Sequence, residues 1–168
     1  MAAINRLMSI VLTVEAASLH KHWIQERPQD YAEQVLARFK PGFDFSGMDY
    51  YGAISARTEW ALKWVSMSMR DADCALLPTI PIPVPSIAET TEGDWDVISR
   101  KITTITHCNR AINYLGLPAL SVPAGFVNAM PVAFQLVGRA FDEGKLLKTG
   151  NAFQTATKWH QAVPPLCM

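Results

Sequence analysis

Apolar residues recur at helical spacing through roughly the first 70 positions and then give way to short runs broken by proline. Ile4, Leu7, Met8, Val11, Leu12 and Leu19 continue one helical pattern into His22 and Trp23. The start has the outline of a leader peptide, with Arg6, an apolar run and a small-residue "AAS". Glu15 interrupts that run and the periodicity carries on past it. The stretch therefore reads as a helix of a soluble protein, short of the ~18 apolar residues of a membrane span.

A second helix is predicted from near Pro28, a good first-turn residue, to just before Pro41-Gly42. A third is predicted from about Met48 to Arg70. Tyr51, Ile54, Ala61, Leu62, Val65 and Met69 make one stripe on it. Tyr50, Ala53, Arg57, Trp60, Trp64 and Met67 make another. A helix apolar on two faces is normally covered on two sides, so the Trp60–Trp64 stripe is expected to drive self-association when left bare.

From residue 73 the pattern changes. "CALLP" reads as a short buried strand, and Pro78, Pro81, Pro83 and Pro85 then impose an extended path. An amphipathic helix follows, about Trp95 to Asn113, with Trp95, Ile98, Ile102, Ile105 and Ile112 along one side and Thr103, Thr106, Arg110 and Asn113 along the other. "ALSVPAG" and "PVAFQLVG" read as two strands joined through "FVNAM". A last helix is expected from about Asp142 to Trp159, ahead of Pro164-Pro165. It contains Gly144 and Gly150, which call for a closely packed neighbour.

This order makes an α/β protein, read as one partial domain over residues 1–168: mainly helical to about 70, then strand, proline-rich loop, helix, two strands and helix. Three strands are few beside the usual ~5 to 6. The sheet is incomplete.

Composition narrows the partners. Hydrophobic residues make up 49% of the 168 and charged residues 18%, with 15 basic against 15 acidic side chains in no block of either sign. That balance lacks the electrostatic footprint of a nucleic-acid or anionic-membrane binder, and it offers little repulsion against association. Cys74, Cys108 and Cys167 fit no disulfide framework and no Cys-x-x-Cys motif, and read as thiols in a reducing cytoplasm.

Few side chains are candidates for chemistry. Ser121 lies in Ala119-Leu120-Ser121-Val122-Pro123, without the flanking glycines of a nucleophile elbow, and Pro123 has no N–H for an oxyanion hole. It reads as a strand serine. His20, His22, His107 and His160 make no His-x-x-x-His pair, so no metal site is expected. Glu15, on an apolar helix side, is expected to be a buried carboxylate held by an ion pair or hydrogen bonds. Arg57 stands in an aromatic stripe. It either stacks there and offers its fork to a carboxylate ligand, or pairs internally with Glu15 or Asp71. Asp71 and Asp73 read as helix-end residues.

"ADCALLPTIPIPVP", "NYLGLPALSVPAG" and "MPVAFQLVGRAFDEGKLL" resemble, in order, the late motifs of the amidase-signature family. "VEAASLHKHWIQERPQDYAEQVLARF" and "MDYYGAISAR" are similar to its middle region. The resemblance covers essentially the whole chain. It implies the C-terminal part of the amidase-signature fold, a mixed β-sheet flanked by helices, in an enzyme that cleaves carbon–nitrogen amide bonds.

The family's Ser–cis-Ser–Lys triad lies upstream of the region matched, so the resemblance assigns no catalytic residue, cofactor or metal here. It implies substrate contacts at Tyr50, with Tyr51 as the alternative register, and at Arg57. Thr106, seven positions before Asn113, stands where the amidotransferase branch carries an acid that selects an amino-acid substrate. Ala129-Met130-Pro131-Val132-Ala133 replaces the family's Gly-Leu-Pro-Val-Gly, so the turn is expected to differ. The sequence thus reads as amidase scaffold and pocket wall, active with small amides only when joined to an N-terminal half. The rival reading is a non-catalytic truncated paralogue or a partner-binding, regulatory subunit.

Overall fold

The computed structural model describes residues 1–163 and forms two compact units, Met1–Trp60 and Ala61–Met168. Pro164, Pro165 and Cys167 lie outside the described residues.

The first unit is built on α1 (Ala2–Glu26). This helix is longer and more apolar than the sequence pattern suggests. It is long and apolar enough to cross a membrane by length and composition alone, a test that the core helix of a soluble protein and a signal sequence near the N-terminus also pass; only 11% of the apolar window is buried. That corrects the expectation that no stretch reaches span length.

α2 is shorter than expected, Glu33–Phe39, between 3-10 turns at Pro28–Asp30 and Lys40–Phe43. Tyr31 and Ala32 are extended, which separates the first turn from the helix. The Lys40–Phe43 turn crosses α1 closely: a Cβ on Gly42 would fall 2.0 Å from the Thr13 carbonyl oxygen and 2.7 Å from the Ala17 Cβ. Main-chain atoms cannot give way there, so only glycine fits.

The predicted third helix is two, α3 (Gly47–Ser55) and α4 (Arg57–Ser68), articulated at Ala56. α3 opens with a capping box. Ser46 Oγ accepts from the Asp49 N–H at 3.1 Å, and Asp49 Oδ2 accepts from the Ser46 N–H at 2.9 Å. The Ser46 hydroxyl, which also donates to Asp49 Oδ2 at 2.6 Å, and then the Ser46 N–H hold the Asp49 carboxyl below its ordinary range.

The second unit contains β1 (Ala75–Pro78), the short α5 (Ala88–Thr91), α6 (Trp95–Ile105), α7 (His107–Leu115), β2 (Ala119–Val127), β3 (Met130–Val137) and α8 (Glu143–Ala156). The single helix predicted over this stretch is α6 and α7. The interruption falls at Thr106, whose ψ of 2° leaves the helical range and whose hydroxyl donates to the Ile102 carbonyl at 3.0 Å.

The sheet is antiparallel in the order β1-β3-β2. Leu76, Leu136 and Leu120 share one face, while Leu77, Gln135 and Ser121 share the other. The first face carries the core of Val122, Leu136 and Leu146 from α8, extended by Cys74, Leu120 and an edge-to-face Phe134–Phe153 pair 4.9 Å between centroids. Gly150 meets the expectation of a close neighbour, since its Cβ would lie 2.6 Å from Leu120 Cδ2; Gly144 has none within 4 Å.

Three prolines sit inside strands without breaking the ladder. Thr79 N–H donates to the Ala133 carbonyl at 3.1 Å, so Ala133 points its polar groups toward β1 and away from β2. Pro123, opposite Ala133, therefore needs no N–H, and Pro78 and Pro131 occupy the equivalent phase on their strands. The β2–β3 turn is two residues, Asn128 and Ala129, at φ 51° and 62°. The missing family glycine thus leaves alanine in the left-handed region.

After β3, the Arg139 guanidinium reaches back to the chain entering β1. It donates to the carbonyls of Met69 at 2.6 Å, Ala72 at 3.2 Å and Asp73 at 3.4 Å. Lys145 adds an ion pair to Asp73 at 3.5 Å.

Candidate substrate-contact residues

Tyr50 is half-buried on α3, and its phenol donates to Glu15 Oε1 on α1 at 3.0 Å. That bond to a carboxylate, with smaller contributions from desolvation and charge, raises the phenol's pKa above its ordinary value. Glu15 itself is exposed, which corrects the expectation of a buried carboxylate: α1 turns this side to α3 and to solvent together.

Arg57 begins α4, two helical turns beyond Tyr50, and is exposed. A cation at a helix N-terminus gains nothing from the dipole. No ion pair among the described residues holds its guanidinium, so the internal pairing with Glu15 is not formed. The first unit thus holds a phenol steadied by a carboxylate on α3 and, at the start of α4, a guanidinium in no ion pair among the described residues. Tyr51, the next residue of α3, is 72% exposed.

Thr106 belongs to the second unit. Its hydroxyl proton is committed to the Ile102 carbonyl, so it offers a ligand only its oxygen lone pairs.

Ser121 Oγ lies 3.1 Å from Thr79 Oγ1. Beside them Gln135, 4% exposed on the central strand, donates from Nε2 to the Pro78 carbonyl at 3.3 Å. The two hydroxyls edge an apolar groove of about 310 Å³ walled by Ile80, Ile82, Val84, Pro123 and Val132. A hydroxyl neighbour cannot remove the Ser121 proton as a base would.

Among the described residues no three His, Cys, Asp or Glu side chains form a metal-binding group. His22 pairs with Glu26 at 3.2 Å on the surface. His20 bonds the Tyr31 phenol at 2.8 Å inside a ring cluster with Trp23 and Phe39, which helical periodicity alone does not reveal. Cys74 and Cys108 are free, and burial pushes the Cys108 thiol up.

The expected bare stripe is corrected. Trp64 is 9% exposed and Trp60 is half-buried, while Met67 of the same stripe is exposed; Met48, Tyr51 and Leu62 are the other large apolar side chains left open on α3 and α4.

The Amidase family model matches residues 2–147, and the chain belongs to that family. A glutamyl-tRNA(Gln) amidotransferase subunit from Carboxydothermus hydrogenoformans is 35% identical over 159 residues, covering 90% of this chain and 31% of that protein. Its counterpart from Halorhodospira halophila is 32% identical over 144 residues, covering 83% of this chain and 29% of its own. A crystal structure of an amidase superposes with a TM-score of 0.76 at 27% identity, over 91% of this chain and 35% of that one. 6-Aminohexanoate cyclic dimer hydrolase shares the fold, with a TM-score of 0.74. The chain therefore spans about a third of the length of the relatives it matches.

Proposed function

We propose that this chain is the C-terminal portion of an amidase that hydrolyses linear carbon–nitrogen amide bonds, supplying scaffold and a pocket wall while the N-terminal portion supplies the reactive groups. The observation that carries the reading is the partial coverage: a relative matches 90% of this chain over 31% of its own length, and the late motifs of the family fall in order along it. The bonding of Ser121 to a hydroxyl supports it. On this reading both compact units belong to one partial domain, and the enzyme works on small amides in the cytoplasm, in keeping with the free thiols of Cys74 and Cys108.

Tyr50 and Arg57 of the first unit are proposed substrate contacts, with Arg57 taking a negative group away from the scissile bond; Thr106, in the second unit, is proposed separately as a substrate contact. The chain purified alone should not turn over acetamide or benzamide, and activity should appear when it is joined to the N-terminal portion of an amidase. Turnover by the isolated chain, abolished by a serine-directed reagent, would overturn the division of labour. In the assembled enzyme Arg57→Ala should raise KM roughly 10-fold or more for amides bearing a carboxylate, the value of a charge-assisted hydrogen bond. An equal loss for neutral amides would remove Arg57 from the site.

A further inference from the structure

The bond between Tyr50 and Glu15 decides what a ligand at Tyr50 must look like. We propose that Glu15, acting with Tyr50, selects a protonated amine on the substrate, so that the amides handled best carry an ammonium group away from the scissile bond. The inference rests on the amidase reading with Tyr50 as a substrate contact, and adds Glu15 as a residue that sets specificity. It is separate from the role given to Arg57, which concerns a negative group.

A tyrosine can offer a ligand its O–H, its oxygen lone pairs, or both. In Tyr50 the proton is committed: the phenol on α3 donates to Glu15 Oε1 on α1, 35 residues earlier, at 3.0 Å. What remains is the lone pairs of the phenol oxygen and the second carboxylate oxygen of Glu15. Both accept and neither donates. A carbonyl or carboxylate placed there would meet only lone pairs, whereas an N–H or O–H donor would be bound.

Charge narrows the donor to a cation. No ion pair among the described residues involves Glu15, and its side chain is exposed, within a ligand's reach. Its neighbours one helical turn away on α1 are Val11, Leu12, Ser18 and Leu19, none of them basic. α3 contains no basic residue either and adds a second carboxylate, Asp49. The Lys40–Phe43 turn approaches α1 from the far side. Gly42 sits against Thr13 and Ala17, each two residues from Glu15 and so about 160° away around the helix. The Glu15–Tyr50 corner is therefore negative and purely accepting, which is the complement of an ammonium group.

The test is steady-state kinetics, with calorimetric binding in parallel, on a fusion of this chain to the portion of the Carboxydothermus hydrogenoformans protein that precedes the matched segment. The substrates are β-alaninamide and 4-aminobutanamide, beside butanamide and pentanamide, which end in methyl where the first two end in ammonium. At least one amino amide should be preferred over its counterpart by roughly 10-fold in kcat/KM, chiefly through KM. Glu15→Gln keeps an oxygen that accepts from Tyr50 but removes the charge, and should cut that preference to within about twofold. Glu15→Asp, which keeps the charge, should retain part of it.

Absence of the preference, or a preference that survives Glu15→Gln, would overturn the proposal. So would a Glu15→Gln fusion that loses all four amides equally and melts at a lower temperature, which would assign Glu15 to a structural contact with the N-terminal portion. Glu15-dependent binding of an amino amide without hydrolysis would keep the selectivity and sink the functional reading; hydrolysis without the preference would do the reverse. A fusion that neither binds nor hydrolyses any of the four would overturn both.

Discussion

Ser121 Oγ is 3.1 Å from Thr79 Oγ1, one hydroxyl answering another across the face of the sheet. Neither can take the other's proton at neutral pH, so the pair orders the start of the proline-rich segment and does not activate a nucleophile. Ser121→Ala in an assembled amidase should leave kcat within about twofold of the parent. Stability should fall by about 1 kcal/mol at most, because the exposed Thr79 hydroxyl can bond to water. Steady-state kinetics and urea unfolding check both. Loss of kcat by orders of magnitude would make Ser121 catalytic after all.

The Tyr50 phenol owes its raised pKa chiefly to the hydrogen bond with Glu15. Glu15→Gln should bring its titration back toward the ordinary tyrosine range, followed by ultraviolet difference absorbance between pH 9 and 12. An unmoved titration would mean that the phenol is not held by Glu15 in solution.

Glu89 accepts from Lys101 and from the Ser86 backbone and hydroxyl, and these bonds lower its pKa to about 2. A carboxylate whose pKa is depressed on folding contributes stability that is fully present above its unfolded value and is lost as pH falls through its folded one. Acid unfolding between pH 4.5 and about 2 should therefore be less steep in Glu89→Gln than in the parent. High salt should narrow the difference, since the pair is exposed. Identical acid limbs would show that the pair does not persist in solution.

Ala129 holds φ 62° in a two-residue hairpin turn that favours glycine. Ala129→Gly should stabilise the second unit by about 1 kcal/mol, the cost of a left-handed conformation for a residue with a Cβ. A thermal melt decides it, and a lower melting temperature would mean that the turn adopts another shape.

The pattern of apolar residues carries the fold a long way. Strands at 75–78, 119–127 and 130–137 cover the short apolar runs read as strands, but the turn between the last two shrinks from the expected 126–130 to Asn128 and Ala129, because both residues take left-handed backbone angles. What escapes the pattern lies at single positions. One predicted helix is interrupted at Thr106 and another at Ala56, neither with a sequence cue stronger than its neighbours.

The capping boxes Ser46–Asp49 and Ser86–Glu89 do have a sequence signal, Ser-x-x-Asp and Ser-x-x-Glu, which periodicity does not weigh. The candidate site is legible only by resemblance. Tyr50 and Arg57 become chemically distinct once α1 supplies Glu15 to one of them and nothing to the other. Arg139 has no local signature, since its targets lie some seventy residues earlier in the chain.

That last contact has a mechanical consequence. The guanidinium that follows β3 grips the very carbonyls through which the chain enters β1, so the middle strand and its short neighbour are tied at the same end. A four-residue strand would otherwise fray from its partner on its own. Anchored in this way, β1 can peel off only when the Arg139 latch opens, which makes the smallest strand of the protein let go together with the hairpin and not before it.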